Sequence, residues 1–110
     1  MENNVLSYPV VIVGGGPAGI SAAIQCKRYG LKTLVVEKSS IGGLLRSANR
    51  IYNYPGFPGG IDGEKFVSLL RNHFSATGAD LVGDRVHELV PADKEIIVYT
   101  GSGKIRAGTV

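Results

Sequence analysis

The chain has 110 residues, enough for one domain with a modest core and too few for two. Its net charge of +3 is spread over scattered lysines and arginines with no aromatic-interleaved basic cluster, which argues against a nucleic-acid surface. The opening Met1-Glu2-Asn3-Asn4 is polar, and the apolar run from Val10 is too short for a signal-peptide core or a membrane span, so the expected location is cytoplasmic.

Residues 10–13 are four apolar β-formers without polar alternation, the pattern of a strand buried on both faces. Gly14, Gly15, Gly16, Pro17, Ala18 and Gly19 follow, fitting G-x-G-x-x-G at Gly14, Gly16 and Gly19. In that motif the first glycine makes a tight turn, the second lets the backbone approach a pyrophosphate, and the third packs helix on strand. Pro17 suits a first helical position, and the helix N-terminus would face the diphosphate. Ile20, Ala23, Ile24 and Lys27 continue at helical spacing, and Gly30 is the expected stop. Cys26, the single cysteine, excludes an internal disulfide and is expected to be a small buried apolar residue. A second apolar strand over residues 33–36 ends at Glu37, where an acid can accept hydrogen bonds from a ribose diol and would repel a 2′-phosphate. The site therefore suits FAD or NAD(H) and disfavours NADP(H).

Residues 38–61 read as one long connection with Gly42-Gly43 and an aromatic, proline-rich stretch at Tyr52 to Pro58. That stretch is either an ordered turn packing its aromatics on the core or a ligand-facing loop. A helix is expected over residues 63–76, with Phe66, Leu69, Leu70 and Phe74 on one face, Asp62 as N-cap and Gly78 beyond its end. His73 falls in its last turn and His87 on a later strand, neither with an expected function. The third strand is expected at residues 79–82. Short strands at 85–90, 95–100 and 104–107, with a turn at Gly101-Ser102-Gly103, form a β-meander. No C-x-x-C and no metal-ligand spacing is present, so no metal site is expected. The fold class is α/β: a Rossmann-like βαβαβ parallel sheet with an attached β-meander.

Four blocks in order resemble the N-terminal FAD-binding segment of the thioredoxin reductase-like flavoproteins, which have two dinucleotide-binding domains. They are Gly14-Gly15-Gly16-Pro17-Ala18-Gly19 with Ala22-Ala23; Leu34-Val35-Val36-Glu37; Gly42-Gly43-Leu44-Leu45; and Asn53-Tyr54-Pro55-Gly56-Phe57. The last block is the most discriminating, because many flavoproteins share the glycine fingerprint. The meander opening Gly83-Asp84-Arg85-Val86 also matches in place. The resemblance implies that Gly14 to Gly19 hold the FAD pyrophosphate and that Glu37-Lys38 lie at the adenosine ribose. It places Gly42-Gly43, Leu44 and Asn53 along the ribityl and isoalloxazine part, and the backbone around Val86 at adenine. Where the family commonly has glutamine after the paired glycines this chain has Leu44, which puts a side-chain hydrogen bond there in question.

The resemblance covers nearly the whole chain and makes residues 1–110 the N-terminal part of an FAD-binding domain. The expected parent is a pyridine nucleotide-dependent oxidoreductase passing hydride from NAD(P)H through FAD to a disulfide or another acceptor. The NAD(P)H site is expected outside this chain, and no catalytic side chain is expected within it. The chain then reads as a fragment or a short natural product, inactive alone, with a homodimer or the remaining segments of the parent as partners. The alternative is a stand-alone nucleotide-binding or regulatory module, or one subunit of a split enzyme.

Overall fold

The computed structural model describes residues 5–110. The first strand, β1, runs Leu6–Val13, and helix α1 follows at Pro17–Arg28. Strand β2 is Thr33–Glu37, followed by a short 3-10 helix at Gly43–Ser47. Two-residue strands β3, Arg50–Ile51, and β4, Ile61–Asp62, pair as an antiparallel hairpin. Helix α2 spans Gly63–Thr77, then come β5 at Asp80–Gly83, β6 at Val86–Ala92, β7 at Glu95–Thr100 and β8 at Gly103–Thr109. The six longer strands make one sheet in the order β5-β2-β1-β8-β7-β6. Strands β5, β2, β1 and β8 are parallel to their neighbours, whereas β6, β7 and β8 form the antiparallel meander.

Strand β2 lies between β5 and β1, and all five of its residues are buried. The two-residue period of a strand sends its side chains to opposite faces. Leu34 and Val36 join Val11, Val98, Ile105 and Ala107 in a cluster between the parallel strands and the meander. Val35 joins Ile20 and Ala23 of α1 and Phe74 of α2 on the other face. A third cluster holds Ile51, Ile61 and Phe66, with Tyr54 and Phe57 packed on it. The ring centroids of Tyr54 and Phe57 lie 4.7 and 5.7 Å from that of Phe66. The aromatic stretch is thus an ordered turn that packs Tyr54 and Phe57 on the core, while Tyr52 and Asn53 stay exposed.

Several elements differ from the sequence expectation. β1 starts at Leu6, and only Val10 and Val11 are fully buried; Val13 is 48 % exposed. Residues 38–61 are not one connection but hold the 3-10 helix and the β3–β4 hairpin. Asp62 occupies the N-cap position of α2 without a side-chain capping bond, and Val67, not Leu69, completes its buried face. Cys26 is half-buried rather than buried. β8 is more than the last strand of a meander, because its other edge runs parallel to β1 from Leu6 opposite Ile105 to Val10 opposite Thr109. There Pro9, which lacks an N–H, faces Gly108, and a Cβ on Gly108 would come within 2.7 Å of the Pro9 carbonyl oxygen. The expected glycine stop of α1 is present: Gly30 has φ +79° and donates its N–H to the Lys27 carbonyl at 2.9 Å.

Candidate functional site

The turn between β1 and α1 is built by glycines with separate tasks. Gly14 takes φ +104°, a region L side chains avoid, and donates its N–H to the Val36 carbonyl at 2.8 Å, tying the turn to the end of β2. A Cβ on Gly19 would overlap the Gly14 carbonyl oxygen, so the third glycine is required by the close approach of helix and turn. Gly16 is different. Its φ of −80° and ψ of −170° suit any residue, and nothing lies within 4 Å of the place a Cβ would occupy. The fold leaves that side open.

Helix α1 begins at this opening. Pro17 sits at its start, no acidic residue stands in the first turn, and the N-cap Gly16 supplies no side-chain acceptor. No side chain therefore caps the positive end of the helix, and it matches an anion. Ala18 is exposed at this end, and the open side of Gly16 is continuous with it in sequence.

Glu37 closes the inner side. The residue is 8 % exposed; Oε1 accepts the Gly15 N–H at 2.7 Å and Oε2 accepts the Ser39 N–H at 2.8 Å. Gly15 in turn accepts the Gly42 N–H at 2.8 Å. Asp84 donates its backbone N–H to the Glu37 carbonyl at 3.1 Å, which brings the start of the meander to the same end of the sheet. Gly42 is buried with φ +101° and lies under Val67 of α2, where a Cβ would be 2.6 Å from a valine methyl. Gly43 is exposed, with nothing within 4 Å of its Cβ position.

The structure thus brings Gly14, Gly15, Gly16, Pro17, Gly19, Glu37 and Gly42 together at the carboxyl end of β1 and β2, where open α/β sheets bind ligands. Lys38 is exposed beside them. Leu44 is 91 % exposed, and Asn53 stands exposed on the loop between β3 and β4. The Val86 side chain packs toward the core between sheet and meander, leaving only its backbone for a ligand. The sequence reading did not single out Ser39 or Ile41, and it named Asp84 only within the Gly83-Asp84-Arg85-Val86 block. Ile41 backs Gly15 so closely that a Cβ there would lie 2.9 Å from its Cδ1. Asp84 accepts the N–H groups of Arg85, Gly101 and Ser102 at 2.7, 3.1 and 3.1 Å. Hydrogen bonding from Ser102, then from the Arg85 N–H, lowers its pKa to about 2. An aspartate right after glycine at a strand end was the available signal, since such residues tie loop amides.

A cleft of about 670 Å³ is lined by Leu6, Val82, Asp84, Tyr99, Lys104 and Ile105 among others and by none of Gly14, Gly15, Gly16 and Gly19. Among the described residues no group of His, Cys, Asp or Glu could hold a metal ion. No helix among them is long and apolar enough to cross a membrane.

The comparisons with known proteins agree with this geometry. A family model described as FAD dependent oxidoreductase matches residues 9–59, from within β1 through the glycine turn to the loop after Tyr54. Thioredoxin reductase from Bacillus subtilis is 32 % identical over 103 residues, covering 94 % of this chain and 32 % of that protein. Over most of its length the chain is thus similar to thioredoxin reductases. The Aquifex aeolicus thioredoxin reductase is 40 % identical over 79 residues, which is 72 % of this chain and 24 % of the relative. Among solved structures, a thioredoxin reductase from Gloeobacter violaceus superposes with TM-score 0.82 at 33 % identity, covering 94 % of this chain and 33 % of that one. The thioredoxin reductase of T. acidophilum gives TM-score 0.84 at 30 % identity, with 93 % and 33 % covered. The chain spans a third or less of the length of these thioredoxin reductase-like relatives.

Proposed function

We propose that residues 1–110 form the N-terminal part of an FAD-binding domain in a pyridine nucleotide-dependent oxidoreductase. The observation that carries this reading is the open side of Gly16 beside the uncapped start of α1. Backbone N–H groups there can meet the two phosphates without a Cβ between them. Glu37 keeps acceptor capacity beyond its two amide partners, because a carboxylate offers about four lone-pair sites. It can therefore also receive a ribose hydroxyl. Lys38, Gly43, Leu44, Asn53 and the Val86 backbone line the path assigned to the rest of the cofactor.

When bound, FAD supplies the redox chemistry, taking hydride from NAD(P)H and passing electrons to a disulfide or another acceptor. The chain's own part is to bind and orient, with no side chain assigned a proton-transfer role. The reading carries with it a cytoplasmic location and, as partner, a second copy or further segments of the parent protein. Equilibrium dialysis of the 110-residue chain against FAD tests it. Saturable binding approaching one FAD per chain is expected, weaker than in a complete flavoprotein. The absence of saturable binding at millimolar FAD would remove the reading.

A further inference from the structure

We propose that the buried carboxylate of Glu37 is a double acceptor that shapes the glycine turn before any ligand arrives, a task its amide analogue cannot perform. The proposal rests on the nucleotide reading above and assigns Glu37 a positioning role separate from ribose contact. A glutamate that is only 8 % exposed needs partners for its charge. Among the described residues no cation pairs with it; the salt bridge found is Arg106 with Glu95. Its partners are instead two backbone N–H groups, 22 residues before it and 2 residues after it. These are charge-assisted bonds, short at 2.7 and 2.8 Å.

The clamp acts where the chain is loosest. Gly14-Gly15-Gly16 is a run with the greatest backbone freedom to lose. Gly15, its middle residue, is held from both sides, with its N–H on Glu37 and its carbonyl on the Gly42 N–H. Gly16 and the start of α1 come next in the chain, so fixing Gly15 fixes the approach to the phosphate side. Ordering done before binding is not lost from affinity.

The two donors dictate the residue type. Both need an acceptor, and the side chain of glutamine has one carbonyl oxygen and one NH₂. Glu37→Gln would therefore set donor against donor at Gly15 or Ser39. Electrostatics gives the opposite sign, because removing a negative charge beside a phosphate should by itself strengthen anion binding. Weaker binding by Glu37→Gln is thus a geometric effect.

The test uses the 110-residue chain and two probes, ADP and 2′,3′-dideoxy-ADP. Both carry adenine and a diphosphate, and only ADP carries the ribose diol. Affinities are normalised to folded fraction by circular dichroism. Amide exchange is followed by NMR without ligand. Glu37→Gln should weaken the dideoxy probe about tenfold or more, as for one lost hydrogen bond to a charged group, and ADP by at least as much. It should also speed exchange at Gly15 and Ser39 while Val11 and Val35 stay protected. A dideoxy affinity untouched by the substitution would assign Glu37 to the diol alone and overturn the clamp. Unchanged protection at Gly15 and Ser39 would overturn it as well. If neither probe binds the wild-type chain, the nucleotide reading fails, and amide exchange still decides the clamp. Should Glu37→Gln not fold, the unaltered chain decides. Scalar couplings from Gly15 N and Ser39 N to Glu37 Cδ support the proposal when present and refute it when absent.

Discussion

The glycines of the turn look alike in sequence and do opposite things in the structure. Gly16 faces open space, whereas Gly19 touches the Gly14 carbonyl. Gly16→Val should therefore keep its far-ultraviolet circular dichroism and lose FAD, since the added Cβ meets only the ligand. Gly19→Ala should act on the fold instead, destabilising it by about 1–3 kcal/mol through overpacking against backbone. Denaturant titration of both variants separates the two effects, and a Gly19→Ala chain as stable as wild type would refute the assignment. Glu37→Ala removes acceptor and clamp together, so FAD binding should fall by at least ~1.5–3 kcal/mol. Spacing alone located Glu37, Gly14, Gly16 and Gly19, because a dinucleotide turn needs them at fixed intervals. The direction of the Glu37 carboxylate was not legible. It depends on Ser39 and on the buried Ile41, residues of ordinary type whose importance comes only from where the loop folds.

At the scale of elements, legibility followed length and period. The helices and β2 carry enough turns or buried β-branched residues to announce themselves. Strands of two residues carry no period, so the β3–β4 hairpin stayed hidden inside the 38–61 connection. The meander was legible as strands, but not its attachment, which comes from the β1–β8 pairing and from one aspartate. Asp84 ties the β5–β6 connection to the β7–β8 hairpin through Gly101 and Ser102. Its folded pKa of about 2 lies below the ordinary 3.8. A depressed carboxylate stabilises above its unfolded value, and that contribution fades as pH falls through the folded one. The window is therefore between 3.8 and about 2. Amide exchange at Gly101 and Ser102 should accelerate across that window, with the helices responding less. Asp84→Asn should flatten the response, and an equal acid dependence in the variant would show that another group sets it.

The whole molecule is longer than a ball of its size. Its extents are 52 × 28 × 23 Å and its radius of gyration is 15.2 Å, against about 13 Å for a compact 110-residue domain. Buried residues concentrate on β2, and neither β5 nor β6 buries any of its residues. The sheet presents two edges, β5 and β6, each with unpaired backbone groups. The edges are not equally guarded. β6 carries His87, Glu88 and Pro91, and a proline or a charge on an edge discourages a further strand. β5 starts with Asp80, whose carboxylate is engaged by the Tyr8 hydroxyl at 2.6 Å, and then offers Leu81, Val82 and Gly83. Leu81 is 49 % exposed there, and Leu89 is 46 % exposed on β6. Apolar exposure is thus matched, and only the guarding differs. The isolated chain should self-associate through β5. Sedimentation velocity over a concentration series should show oligomers in wild type, a shift to monomer in Leu81→Lys and little change in Leu89→Lys. A wild-type chain monomeric throughout, or a Leu89→Lys variant as effective as Leu81→Lys, would mean that edge chemistry does not govern association in this molecule.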